Sequence, residues 1–154
     1  MEEKLFTAYS DVFSDIVNTL LFNGKDVVKE NELEEAPVVH CVDGKSGICS
    51  ASKYWKNCNI RIFCISSEME QADDLPFHMM DYDGGAYLDQ IGGMGSTNPH
   101  ISVISLVLYL GLKHWSGART LHEALGNHLD EDMKPFVPDY PMNLFEIAWL
   151  TDEQ

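Results

Sequence analysis

One apolar run, residues 101–110 (ISVISLVLYL), constrains the fold more than any other part of this sequence. It is nearly all apolar and rich in β-branched residues, and it is too short to span a bilayer. Successive side chains of a strand point to opposite faces of its sheet, so a strand of this composition is covered on both faces. The run therefore predicts a central strand with a layer of structure on each side.

The rest of the chain supplies elements for those layers. Apolar residues recur at helical spacing over residues 4–22, which predicts a helix. The pair Asn23-Gly24 predicts where that helix ends. Two strand-like runs surround a turn at residues 56–59 and predict a hairpin. The charged segment 25–35 predicts no core element beyond a short helical turn. The predicted order is helix, hairpin, helix, central strand, short helix and strand, at residues 4–22, 48–65, 75–91, 101–110, 120–129 and 144–150. Helices interspersed among strands indicate one domain of the α/β class.

Composition and charge exclude several functions. The 154 residues include ten Lys and Arg against 25 Asp and Glu, a net charge of −15. Such a charge argues against a histone-like protein, a basic nucleic-acid wrapper or a binder of anionic membranes. The chain contains no signal-peptide pattern and no apolar run of bilayer length, so we expect a cytoplasmic protein without a membrane partner. Four cysteines without a C-x-x-C pattern are expected to be free core thiols: Cys41, Cys49, Cys58 and Cys64.

The predicted hairpin has a charge pattern of its own. No acidic residue occurs between Asp43 and Glu68, although the whole chain is strongly acidic. Positive charge on this segment, 45–61, predicts contacts with DNA phosphates, and the alternative is an ordinary solvated hairpin face. The candidate nucleic-acid-binding residues are Lys53, Lys56, Arg61 and Trp55, with Lys45 as a further basic residue.

Two carboxylates follow the second hairpin strand. Glu68 and Glu70 are two residues apart, and such residues point to the same face of a strand. Paired carboxylates can bind Mg²⁺, which prefers oxygen ligands and assists phosphodiester hydrolysis. The alternative is a solvated acidic pair with no ligand.

Five blocks of the chain resemble one family in the same order. They are SDVFSDIVNTLLFNG at 10–24, KYWKNCNIRI at 53–62, LPFHMMDYDGGAY at 75–87, LVLYLGLKHW at 106–115 and MNLFEIAWL at 142–150. These blocks resemble the Rpn-type family of bacterial PD-(D/E)XK nuclease-like proteins, also called recombination-promoting nucleases or transposase-family proteins. The resemblance implies a restriction-endonuclease-like core, with a mixed central sheet flanked by helices, and Mg²⁺-dependent cleavage of DNA.

The resemblance also assigns residues to the active site. The family's first-strand Asp falls on Ser50, its second-strand Glu falls on Glu68, and the Gln two residues later falls on Glu70. A supporting acid from the first helix matches Asp15. Serine is a neutral hydroxyl and a poor substitute for a metal-bridging carboxylate, so the resemblance implies a degenerate site with weakened binding of Mg²⁺ or Mn²⁺.

Three functional interpretations follow. The first is an active or weakly active DNA endonuclease that uses Glu68, Glu70 and Asp15 with Mg²⁺ or Mn²⁺. The second is a pseudo-nuclease that binds DNA or a protein without cutting. The third is a decayed copy of a mobile-element gene. Family members usually continue beyond the point where this chain stops; a missing C-terminal part would expose the strand at 144–150 and predicts a homo-oligomer.

Overall fold

A computed structural model gives the fold and describes residues 9–35, 48–67, 73–91 and 100–150. In these ranges five strands form one sheet in the order β1-β2-β3-β4-β5. The first three strands are antiparallel, and β3, β4 and β5 are parallel. The strands are β1 (Leu33–Glu35), β2 (Ile48–Trp55), β3 (Ile60–Ser67), β4 (Ser102–Tyr109) and β5 (Asn143–Glu146), and the helices are α1 (Ser10–Phe22), α2 (Leu75–Ile91) and α3 (Leu121–Leu125). The predicted α/β class and mixed central sheet are confirmed.

Strand β4 separates two hydrophobic cores. Leu106 and Leu108 belong to the core that contains α1, whereas Val107 and Tyr109 belong to the core that contains α2. The alternation follows from the two-residue period of a strand. The expected coverage of the apolar run on both faces is therefore confirmed, and helices flank the sheet on both sides.

Helix α1 ends where the sequence predicts. Asn23 adopts a left-handed conformation with φ of 53°, and Gly24 follows with φ of 76°. Glycine and asparagine tolerate this conformation better than other residues, which explains why the helix stops here. Residues 4–8 of the predicted helix lie outside the described residues. No helix in the described part of the chain is both long and apolar enough to cross a bilayer.

The hairpin also follows its prediction closely. Strand β2 ends at Trp55 and β3 begins at Ile60, so the turn occupies the four residues that were expected. Asn59 adopts a left-handed conformation with φ of 53°. The hydroxyl of Tyr54 donates a hydrogen bond to Asn59 Oδ1 at 2.7 Å, and this bond fastens the turn to the strand.

Three elements differ from the prediction. Strand β1 lies in a charged segment for which only a helical turn was expected, and that turn forms just before it as a 3-10 helix, Glu30–Glu32. The last strand is shorter than expected, because β5 ends at Glu146 and a 3-10 turn, Ile147–Trp149, follows. Helix α3 ends at Leu125, where Gly126 adopts a positive φ of 53°.

The cysteine prediction is correct in part. Cys64 is buried in the core, and burial raises the pKa of its thiol to about 12. Cys58 lies in the hairpin turn and is exposed, so the expectation of a core thiol is wrong at this position. All four residues of the turn, 56–59, are exposed. Cys41 and the side chain of Cys49 lie outside the described residues.

Candidate functional site

The parallel strands end together at one edge of the sheet. Ser67 of β3 pairs with Tyr109 of β4, and Tyr109 pairs with Glu146 of β5. The antiparallel strand β2 begins at the same edge, because Ile48 pairs with Ser67. Sites in α/β proteins commonly occur at the carboxyl ends of parallel strands. This edge is therefore the place to look for the predicted active site.

Ser50 is close to that edge. It is the third residue of β2 and pairs with Ile65, two residues before the end of β3. Glu68 directly follows the last residue of β3 in the sequence. Glu68 and Glu70 lie outside the described residues, so their role as metal ligands stays a prediction. Of the three residues that the resemblance assigns to this edge, Ser50 is the one within the described ranges, and a serine has no carboxylate to offer a metal ion.

Asp15 lies elsewhere in the described structure. It is exposed on α1 and lines an open cavity of about 400 Å³. The lining comes from α1 and from residues 26–31, and consists of Asp11, Ser14, Asp15, Asp26, Val28, Lys29, Glu30 and Asn31. The part of the chain that the structure describes contains no group of three His, Cys, Asp or Glu side chains arranged for a metal ion.

Lys53 is buried rather than solvated. Its side chain is only 1% exposed, and its ammonium forms an ion pair with the carboxylate of Glu35. Strand register produces this contact, because Glu35 of β1 pairs with Lys53 of β2. A phosphate contact requires an accessible ammonium, so this placement differs from the exposed surface that the DNA prediction assumes.

Trp55 belongs to the core. Its side chain is 7% exposed, and its ring meets Phe22 edge to face with centroids 6.5 Å apart. The indole N–H donates to Glu32 Oε2 at 2.9 Å, and this bond lowers the pKa of the Glu32 carboxyl. Stacking on a base requires an exposed ring face. The indole instead joins the 3-10 turn before β1 to the hairpin.

The two remaining candidate DNA-binding residues, Lys56 and Arg61, also contact other side chains. Lys56 is exposed, and its Nζ lies 3.4 Å from Glu34 Oε1. Arg61 donates to Ser52 Oγ at 3.4 Å. Burial lowers the pKa of the Arg61 guanidinium, and the negative charge of Asp89 opposes that effect.

Strand β1 explains why the hairpin differs from its sequence pattern. The window without acids continues along the chain from 44 to 67, but β1 pairs with β2 and brings Glu34 and Glu35 against it. Opposite charges meet in space although they are separated in sequence. Lys45 lies outside the described residues, and DNA binding by the hairpin stays a prediction.

Sequence reasoning did not single out Glu146, which organises the same sheet edge. Its Oε1 accepts the backbone N–H of Trp115 at 2.5 Å and lies 3.3 Å from His114 Nδ1. Its Oε2 accepts from Arg119 Nη2 at 3.0 Å. The hydrogen bond from Trp115 contributes most to the lowered pKa of this carboxyl. The sequence signal that could have identified Glu146 is its place as the one acid in the apolar run LFEIAWL.

Comparisons with known proteins return no match: no family model, curated protein or solved structure matches this chain.

Proposed function

We propose that this chain is a PD-(D/E)XK nuclease-like protein of the Rpn type in which metal-dependent cleavage of DNA is disabled. The sheet supports this proposal through its order and direction. An antiparallel hairpin is followed by a helix and then by a strand parallel to the second hairpin strand. That sequence of elements agrees with the restriction-endonuclease-like core that the resemblance implies.

Ser50 carries the proposal. It occupies the strand position at which the family resemblance expects a metal-bridging carboxylate, and it lies near the edge where Glu68 follows β3. A neutral hydroxyl binds a hard divalent cation less tightly than a carboxylate does. Loss of one ligand lowers the stabilisation of charge on the phosphate, and each 1.36 kcal/mol lost lowers the rate tenfold.

Restoration of the carboxylate tests the proposal. Supercoiled plasmid is incubated in Mg²⁺ or Mn²⁺ with the unmodified protein, with Ser50→Asp, and with Ser50→Asp combined with Glu68→Gln. We expect nicking by Ser50→Asp alone. If a folded Ser50→Asp variant does not nick the plasmid, the result contradicts a nuclease scaffold. Metal-dependent nicking by the unmodified protein contradicts a disabled site.

A second candidate is a pseudo-nuclease that binds protein rather than DNA. It is favoured by the ion pairs that join Lys53 and Lys56 to the acids of β1. Cations already paired with carboxylates release fewer counterions from DNA and contribute less affinity. We expect the Kd for a labelled DNA duplex in 0.15 M NaCl to be weaker than about 10⁻⁴ M. Salt-dependent binding in the micromolar range contradicts this second candidate.

A further inference from the structure

Helix α2 has apolar side chains on two opposite faces. Leu75, Met79 and Ala86 face the core and are buried. At 3.6 residues per turn, a second set shares the opposite side of the same helix. That set, here named the outer stripe, consists of Phe77, Met80, Leu88 and Ile91, around Gly84.

The outer stripe is exposed in both halves of the helix, on either side of Gly84. Leu88 and Ile91 are 64% and 65% exposed, and Phe77 and Met80 are also among the exposed large hydrophobic residues. A surface helix normally presents polar residues to water on the side away from the core. Contiguous exposed apolar residues with a polar rim are typical of an interaction surface.

The charges beside the outer stripe are all of one sign at neutral pH. Helix α2 contains three aspartates and no lysine or arginine, and two more aspartates directly precede it. One of the three, Asp83, is directed inward and accepts a hydrogen bond from Ser105. The other four are exposed. Asp81 lies beside the stripe, Asp73 and Asp74 precede its first residue, and Asp89 lies on the flank toward Arg61. The stripe therefore has acidic residues at its N-terminal end and along one side.

We propose that the outer stripe is a docking surface for a basic amphipathic helix of a partner protein. An apolar stripe on the partner would cover Phe77, Leu88 and Ile91, and lysines or arginines beside it would meet the aspartates. Helix-in-groove and helix-on-helix recognition use apolar anchors at this spacing, and complementary charge selects the partner. The surface lies on the side of α2 away from the sheet, so the inference does not depend on the nuclease proposal.

A second copy of this chain fits the surface less well. A twofold axis between two antiparallel copies of α2 brings the same flank of each helix together. That arrangement places Asp81 of each copy on one side of the interface. Each copy also has a net charge of −15, which opposes the approach of two copies.

A synthetic peptide tests the proposal without knowledge of the natural partner. The probe is a fluorescent peptide of about 18 residues built from Leu and Lys, with Leu at amphipathic helical spacing. Its matched control has Glu in place of Lys. Fluorescence anisotropy should show binding of the Lys peptide that weakens with added NaCl, and at least tenfold weaker binding of the Glu peptide.

Paired variants separate this surface from general attraction to an acidic protein. Leu88→Asp and Phe136→Asp each add one negative charge at an exposed apolar residue, and Phe136 is distant in sequence and 81% exposed. We expect Leu88→Asp to raise the Kd of the Lys peptide at least tenfold and Phe136→Asp to change it less than twofold. Circular dichroism checks that both variants are folded.

Three results overturn the proposal. Absence of Lys-peptide binding is the first, and equal effects of the two variants are the second. The third is a dimer in sedimentation of the unmodified protein that Leu88→Asp converts to a monomer, because the stripe would then bind a second copy.

Discussion

At the scale of single residues, Asn18 joins α1 to the segment that follows it. Its buried side chain donates from Nδ2 to the carbonyl of Val28 at 2.9 Å. Its Oδ1 accepts the backbone N–H of Val28 at 2.8 Å and that of Val27 at 3.2 Å. One amide therefore satisfies three backbone groups and fixes the chain as it leaves the helix for β1.

The substitution Asn18→Ala should be strongly destabilising. It leaves the buried backbone groups of Val28 without these partners, and such groups cost about 1–3 kcal/mol each. We expect the free energy of unfolding in urea to fall by about 2–4 kcal/mol. The exposed neighbour Thr19 provides the control, since Thr19→Ala should change the free energy of unfolding by less than about 0.5 kcal/mol. Equal effects of the two variants contradict the role of Asn18.

Glu146 should make stability depend on pH. Its hydrogen bonds hold its pKa below the ordinary value of 4.5 in the folded protein. The unfolded chain therefore binds a proton at higher pH than the folded one, so this stabilisation is complete above about pH 5 and is lost as pH falls through the folded pKa. We expect Glu146→Gln to lower the urea midpoint at pH 7 by more than at pH 3. An equal difference at both pH values contradicts this account.

At the scale of elements, two glycines give opposite predictions. Gly84 lies in the middle of α2, where an added Cβ meets nothing within 4 Å. Gly84→Ala should raise the free energy of unfolding by about 0.5–1 kcal/mol, because alanine loses less entropy in a helix. Gly111 follows β4, and its added Cβ would collide with the buried side chain of Tyr109. Gly111→Ala should therefore destabilise by about 1–3 kcal/mol. Thermal or urea unfolding that ranks the two variants in reverse contradicts both arguments.

Strand β1 should limit DNA binding by the hairpin. Glu34→Gln and Glu35→Gln remove two negative charges beside the hairpin, and Glu34→Gln also removes the carboxylate that pairs with the exposed Lys56. We expect this double variant to bind labelled duplex DNA more tightly, with a steeper dependence on salt. The control is Asp130→Asn with Glu131→Gln, which makes the same charge change and also releases a lysine, Lys134. Equal gains in affinity would falsify the role assigned to β1.

The elements that the sequence predicts well carry their own pattern. Strand β2 and helix α2 have the expected boundaries because turn residues and apolar spacing mark them locally. Strand β1 carries no such pattern: its residues are Leu-Glu-Glu, and it is extended because it pairs with β2. Pairing with a distant partner overrides local preference, and a single sequence gives no signal for it.

The candidate site, too, could be predicted from the sequence only in part. Ser50 was assigned by resemblance to a family motif; the structure places it three residues into β2, and its role stays a prediction. The surroundings of Lys53 and Trp55 could not be predicted, because Glu35 and Glu32 reach them through the pairing of β1 and the turn before it. Local charge counts describe neighbours along the chain, whereas electrostatic interactions depend on neighbours in space.

At the scale of the whole molecule, repulsion between acidic groups should dominate the response to salt. The chain has 25 Asp and Glu against ten Lys and Arg, so the average interaction between its charged side chains is repulsive. Screening weakens both kinds of interaction, and the Debye length falls from about 10 Å at 0.1 M salt to about 3 Å at 1 M. Because repulsion is the larger contribution, we expect the urea midpoint to rise with NaCl over this range.

A charge-reduced variant shows whether screening is the cause. Asp130→Asn with Asp132→Asn removes two negative charges at exposed positions and changes the net charge from −15 to −13. Its urea midpoint at low salt should exceed that of the unmodified protein, and its rise with NaCl should be smaller, since less repulsion remains to be screened. A general effect of salt on apolar burial predicts parallel increases in the two proteins. A midpoint that falls with salt would instead show that the ion pairs, including that of buried Lys53, outweigh the repulsion.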